Sequence, residues 1–241
     1  MTESSLSNNF DSDAIAILGG TGDQGLGLAL RFAAAGRKVV IGSRKEERAV
    51  TAAEEVRAQV PAADVVGLGN EAATQACRIV ILSVPFEHTA GTVKGLKEVL
   101  IPDQIVVSMG VPLATAIGDG PMRTVGVWQG SCSELVAGLV PAGVEVVSAF
   151  QNVPAHRLQH LADPVECDVI VSGGKAAREA VMDLCPLIPG MRAVNGGPLY
   201  NARYVEEWTA LLIGLNIRYK LPEGLCFRLT MDDGRLPELD S

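Results

Sequence analysis

Gly20-Thr21-Gly22-Asp23-Gln24-Gly25 joins a short apolar run, Ala14 to Leu18, to a segment where Leu26, Ala29, Leu30 and Ala33 recur at i, i+3, i+4 and i+7. The run reads as a buried strand, and the periodic segment as an amphipathic helix closed by Gly36. Glycine at three fixed positions shapes the turn between them. Gly20 suits a tight bend, Gly22 lets the backbone approach a ligand, and Gly25 lets helix and strand pack closely. Amide N–H groups at the helix start then point at an anion such as a pyrophosphate. A glycine turn without a ligand is the poorer reading, because the hexad sits between a strand and a helix, near the start of a βαβ unit.

The same alternation continues. Lys38 to Ile41, Asp64 to Gly67, Ile79 to Leu82, Ile105 to Val107 and Glu145 to Phe150 read as strands. Helices are expected over 46–59, 87–100 and 131–139. In the last, Ser131 serves as N-cap and Glu134 as the third helical residue. Further on, 168–171 reads as a strand, 175–185 as a helix ended by Pro186 and Pro189, 204–219 as a long helix and 225–229 as a last strand. Strands alternating with helices give an α/β fold, a doubly wound parallel sheet covered on both faces. The expected organisation is a tail over 1–12, a dinucleotide-binding domain over 13–150, a smaller C-terminal α/β domain over 151–231 and an acidic tail over 232–241.

The bulk numbers agree. With 241 residues, 48% hydrophobic but only 4% aromatic, the core is expected to be aliphatic. No apolar run reaches the ~18–20 residues that cross a bilayer. The polar, acidic N-terminus lacks signal-peptide character, so a cytoplasmic protein is expected. A net charge of −8 without a basic block argues against nucleic acid. Cys77, Cys132, Cys167, Cys185 and Cys226 contain no C-x-x-C pair and read as free, mostly buried thiols.

The end of the second strand selects the dinucleotide. An acid about 20 residues past the glycines binds the ribose of NAD. Here the strand ends in Gly42-Ser43-Arg44-Lys45. Ser43 can donate to a phosphate oxygen, Arg44 can clamp it, and Arg48 adds charge one turn later. This set predicts NADP. The alternative is that Arg44, Lys45 and Arg48 are solvated cations balanced by Glu46 and Glu47. After the fourth strand, Ser83-Val84-Pro85-Phe86 should flank the same crevice. His88 either faces the cofactor or is an ordinary surface histidine.

Gly-Gly-Thr-Gly at 19–22, Gly-Ser-Arg at 42–44, Ser-Val-Pro-Phe-Glu-His at 83–88, Ser-Ala-Phe at 148–150 and Gly-Pro-Leu at 197–199 fall in order along nearly the whole chain. Together they resemble the coenzyme F420-dependent NADP oxidoreductases. The resemblance implies a Rossmann-type domain, a small C-terminal domain, a homodimer, and direct hydride transfer between NADP(H) and the deazaflavin of coenzyme F420. It implies that Gly20, Thr21, Gly22, Asp23, Gln24 and Gly25 form the pyrophosphate loop, and that Ser43, Arg44 and Arg48 hold the 2′-phosphate. Val84, Pro85, Phe86, His88 and Ala155 would lie along the nicotinamide. The deazaflavin would lie near Val111, Pro112, Gln151, Asn152 and Gly224-Leu225. Arg203 could face the cleft, and Arg157, Arg218, Lys220 and Arg228 are further candidates for its anionic tail. No acid or base is assigned, since hydride transfer depends on positioning two rings. The family commonly carries a histidine after Ser-Ala-Phe. This chain has Gln151, which donates hydrogen bonds but carries no proton.

Two other readings stand beside this one. The chain could reduce another small acceptor, such as a pterin, imine or keto acid, or it could be a non-catalytic NADP-binding module. His156 and His160 share a helical face but have no Cys or acid at ligand spacing, so no metal site is expected. Trp128 and Trp208 read as core or interface residues.

Overall fold

The computed structural model describes residues 10–230. Its elements begin β1 (Asp11–Leu18), α1 (Asp23–Ala34), β2 (Val39–Ser43), α2 (Glu46–Gln59), β3 (Val65–Gly69), α3 (Asn70–Ala76), β4 (Cys77–Leu82) and α4 (Phe86–Gly95). They continue β5 (Ile105–Ser108), α5 (Cys132–Ala137), β6 (Glu145–Ser148), α6 (Ala155–Gln159), β7 (Cys167–Gly173), α7 (Lys175–Met182), β8 (Met191–Asn195) and α8 (Ala202–Tyr219). The sheet order is β3-β2-β1-β4-β5-β6-β7-β8. Every pair is parallel except β6 with β7. The first six strands follow the order of a dinucleotide-binding doubly wound sheet, whose switch point lies between β1 and β4.

The continuous apolar runs follow from burial of both sheet faces. Side chains alternate across a strand, so Ile15 and Ile17 pack with Leu28 and Phe32 of α1 on one side. Ala14, Ala16 and Leu18 pack with Val80, Leu82 and Val106 on the other. Each fully buried Val, Leu, Ile or Phe side chain contributes about 1.5–3 kcal/mol.

Several boundaries differ from expectation. α4 ends at Gly95 rather than near Leu100, where Gly91 and Gly95 weaken the helix and turns follow. β6 ends at Ser148, because Phe150 turns into the left-handed region with φ +69°. The stretch expected as a strand over 225–229 forms no strand. It is tied instead to β7, where the Asp168 N–H donates to the Phe227 carbonyl at 3.0 Å and the Leu229 N–H donates to the Asp168 carboxylate at 2.6 Å. α3, α6 and β8 were not legible, being too short or, for Met-Arg-Ala-Val-Asn, too mixed for a periodic signal. β1 begins at Asp11, inside the expected first tail. The remainder of that tail up to residue 9, and the tail from 232, lie outside the described residues.

Ser131 caps α5 as expected, accepting from the Glu134 N–H at 3.0 Å. Glu206 of α8 completes the cap by accepting from the Cys132 and Ser133 N–H groups at 2.7 and 3.1 Å. All five cysteines are free, and Cys226 alone is not buried. Burial pushes the thiols of Cys77, Cys132 and Cys185 up to about 12. Trp128 is 99% exposed, which excludes a place in the core of this chain. Trp208 is half-exposed and meets Phe227 edge-on at 5.3 Å. The His156 and His160 rings stack on one another at 4.2 Å, and the described residues contain no metal-binding cluster.

Candidate active site

The glycine loop lies at the switch point, where β1 hands over to α1. The left-handed residue is Gly19 (φ +78°), one position before the expected bend, and a side chain there would strike the Ser83 carbonyl. Gly25 performs the packing role: a Cβ would lie 2.7 Å from the Gly19 oxygen and 2.8 Å from the Gly20 Cα. Gly22 stays open on the ligand side, with only the Gly19 oxygen near at 3.5 Å. No side chain caps the first turn of α1. Its leading N–H groups have no intrahelical partner, so loop and helix dipole together form an anion seat.

One strand over, Ser43, Arg44 and Arg48 line a cavity of about 290 Å³ with Thr21, Asn70 and His88. Ser43 is buried and accepts from the Lys45 N–H at 3.3 Å, which leaves its hydroxyl proton free to donate. Arg44 and Arg48 are exposed, and neither forms an ion pair among the described residues. Glu46 and Glu47 therefore do not neutralise them directly. A hollow of about 700 Å³ adjoins this cavity between α3 and α4 and shares Ser43, Arg44, Asn70, His88 and Thr92 with it.

Gly22, Ser83, Val84 and Pro85 of the 290 Å³ cavity also border a cavity larger than it, of about 600 Å³. Of the expected residues, Asp23, Gln24, Phe86, Val111, Gln151, Asn152, Ala155 and Leu225 line it. Gly20 and Gly25 lie behind it, in the packing of the loop. His88 belongs to the smaller cavity. Pro112 is buried between the lining residues Val111 and Leu113, and its carbonyl accepts the Val125 N–H. Arg203 does not line this cavity; it is ion-paired with Glu134 at 3.1 Å and donates to the Tyr200 carbonyl. Arg228 is likewise committed to Asp168, Glu166 and the Gly190 carbonyl.

Gln151 and Asn152 are held by their nitrogens. Gln151 Nε2 donates to the Ser148 hydroxyl at 2.7 Å and the Ser108 carbonyl at 3.1 Å. Asn152 Nδ2 donates to the Asp168 carbonyl at 2.9 Å. The two side-chain oxygens are buried without a partner among the described residues. Unpaired buried acceptors are costly, and these two lie behind the lining, out of reach of solvent.

The far wall comes from α8, of which sequence reasoning singled out only Arg203 and Arg218 for a site. Thr209, Leu212, Ile213 and Asn216 line the cavity at helical spacing. The signal was present: polar Thr209 and Asn216 on an otherwise apolar stripe. Its Oδ1 accepts the Leu225 N–H at 2.8 Å and thereby holds the C-terminal segment at the cavity mouth. Among the described residues no lysine lines the cavity, and its surface is predominantly apolar.

Comparison with known proteins points to one family. Residues 14–112 match the family model described as NADP oxidoreductase coenzyme F420-dependent. The chain is 48% identical over 221 residues to the F420-dependent NADP reductase of Methanocaldococcus jannaschii, covering 90% of this chain and 97% of that protein. It is 40% identical to the F420-dependent NADP reductase of Methanothermobacter thermautotrophicus, covering 86% of this chain and 90% of that protein. Among solved structures, a candidate F420-dependent NADP reductase from Arthrobacter sp. FB24 superposes with a TM-score of 0.74 at 22% identity, over 90% of this chain and 99% of that one. An imine reductase from Bacillus cereus shares the fold at a TM-score of 0.58 and 14% identity, over 86% of this chain and 63% of that one.

Proposed function

The chain belongs to the coenzyme F420-dependent NADP oxidoreductase family, and from that membership we propose that it transfers hydride between NADP(H) and the deazaflavin of F420. The observation that carries this reading is continuity. The glycine loop, the Ser43 and Arg44 pocket and the apolar cavity under α8 share lining residues along the switch point. A dinucleotide anchored at the first two would present its nicotinamide in the third.

The residues present fit both groups. Open N–H groups of α1 suit the pyrophosphate, and Ser43, Arg44 and Arg48 suit the 2′-phosphate. Val84, Pro85, Phe86 and Ala155 offer an apolar seat for the nicotinamide. Val111, Gln151, Asn152 and Leu225 stand where a second ring would stack. When bound, the two cofactors supply the redox chemistry themselves, and the protein contributes orientation and exclusion of water. Such positioning is a large source of rate in a two-ring transfer. Gln151 orients without exchanging a proton. The exposed Arg218 and Lys220, at the end of α8 beyond Asn216, take the place of Arg203 as candidates for the anionic tail.

The same reading includes a homodimer, supported by the exposed apolar side chains of Tyr204, Trp208, Leu211 and Ile217 on α8. It also includes a cytoplasmic setting, supported by free buried thiols; no helix among the described residues is long and apolar enough to cross a membrane. A division of the chain after Phe150 accords with the left-handed turn there and the reversal of strand direction at β7. The test is to mix the protein with NADPH and oxidised F420 and follow the visible absorbance of the deazaflavin. Rapid bleaching is expected. NADPH binding without bleaching, with turnover of a pterin or imine instead, would overturn the assignment.

A further inference from the structure

Gln24 sits in the first turn of α1, yet its side chain turns away from the anion seat. Its Nε2 donates to the Phe150 carbonyl at 3.0 Å and to the Val153 carbonyl at 3.2 Å. These two carbonyls bracket Gln151 and Asn152, which line the larger cavity. Phe150 holds a left-handed backbone, which a residue with a Cβ rarely adopts without support. Its ring is buried edge-on against Phe32 of α1 at 6.3 Å. Further ties join the same two segments. Gln159 Nε2 donates to the Asp23 carbonyl at 3.0 Å. Arg31 donates to the carbonyls of Arg157, Leu158, His160 and Asp163 around the end of α6. A Cβ at Gly27 would lie 2.6 Å from the Leu158 Cβ, so α1 and α6 are in close contact.

We propose that Gln24 is a positioning residue whose side-chain amide holds the 150–153 turn in register with the dinucleotide loop. That turn carries the wall against which the second substrate stacks. One residue therefore sets both edges of the hydride-transfer gap: its backbone belongs to the cofactor seat and its side chain to the substrate wall. The inference rests on the reading that NADP and a deazaflavin share this cleft.

Two variants test it. Gln24→Met keeps the side-chain length and removes both donors, while Gln24→Lys restores a donor of similar reach. Gln24 is only half-buried, so both are expected to fold. The NADPH dissociation constant of Gln24→Met should stay within about twofold of the parent, because the backbone N–H groups are untouched. Single-turnover hydride transfer to F420 at saturation should fall about ten- to hundredfold, the scale of a misplacement near 1 Å. Gln24→Lys should recover most of that loss. Amide hydrogen exchange over residues 150–155 should rise in Gln24→Met and return in Gln24→Lys. Unchanged exchange over 150–155, a loss confined to NADPH affinity, or a Gln24→Lys variant as slow as Gln24→Met would each overturn the proposal. If the parent protein itself fails to bleach F420, the assigned reaction falls, while the exchange comparison still decides what Gln24 does to the turn.

Discussion

Arg44→Ala tests the group proposed to separate NADP from NAD. Arg44 is exposed and has no ion pair among the described residues, so its removal should leave folding stability within about 0.5 kcal/mol. The loss should appear in binding. A guanidinium hydrogen-bonded to a phosphate contributes about 1.5–3 kcal/mol, or roughly ten- to hundredfold in affinity. The lower half of that range is expected here, because water and salt reach the site and Arg48 lines the same cavity. Ser43→Ala removes one hydroxyl donor and should cost about 0.5–1.5 kcal/mol, several-fold in affinity. The assay is calorimetric or fluorescence titration with NADPH and with NADH, each at low and high salt. NADPH should weaken, NADH should change less than about twofold, and the difference between them should shrink as salt rises. Unchanged NADPH affinity, or a parallel loss for NADH, would refute the assignment of the 2′-phosphate to Arg44.

Other consequences concern the frame around the site. Gly25→Ala places a Cβ 2.7 Å from the Gly19 oxygen and 2.8 Å from the Gly20 Cα, so backbone must shift. A cost of about 1–3 kcal/mol is expected in chemical denaturation, and NADPH binding should weaken with it. Asp168 is fully buried and accepts from Arg192 twice at 2.7 Å, from Arg228 at 2.9 Å and from the Leu229 N–H. Asp168→Ala leaves Arg192 and Arg228 without that carboxylate and should cost about 3–5 kcal/mol, read as a lower melting temperature; a shift near zero would show that the network carries no net stability. Burial raises the Glu206 carboxyl from 4.5 to about 7 against the opposing pull of the Cys132 and Ser133 N–H groups. Its folded value exceeds its unfolded one, so its contribution to stability is complete below about 4.5 and is lost as pH rises through about 7. Denaturation curves from pH 4.5 to 8 should show that slope, and Glu206→Gln should flatten it; an unaltered slope would assign it to other groups.

What could be read without the structure was whatever one element encodes by itself. The helix over Glu46–Gln59 was legible to the residue, and the apolar runs of β1, β4 and β5 marked buried parallel strands. The glycine hexad and Ser43-Arg44 marked the proposed dinucleotide seat, because a strand–turn–helix and the tip of the next strand are local in sequence. Tertiary structure decided the rest. Thr209, Leu212, Ile213 and Asn216 form an ordinary helical stripe until α8 folds back over the switch point and makes them a cavity wall. Arg203 and Arg228 carry the charge an anionic ligand needs, but Glu134 and Asp168 reach them first. The glycine loop shows the division most clearly. Its spacing announced an anion seat, but that Gly19 makes the turn depends on the approach of Ser83, and that the Gln24 side chain grips Phe150 and Val153 depends on a contact 126 and 129 residues away. Periodicity and turn chemistry act over a few residues; the partners of a polar side chain are set by which distant elements share its surroundings, and only packing fixes that.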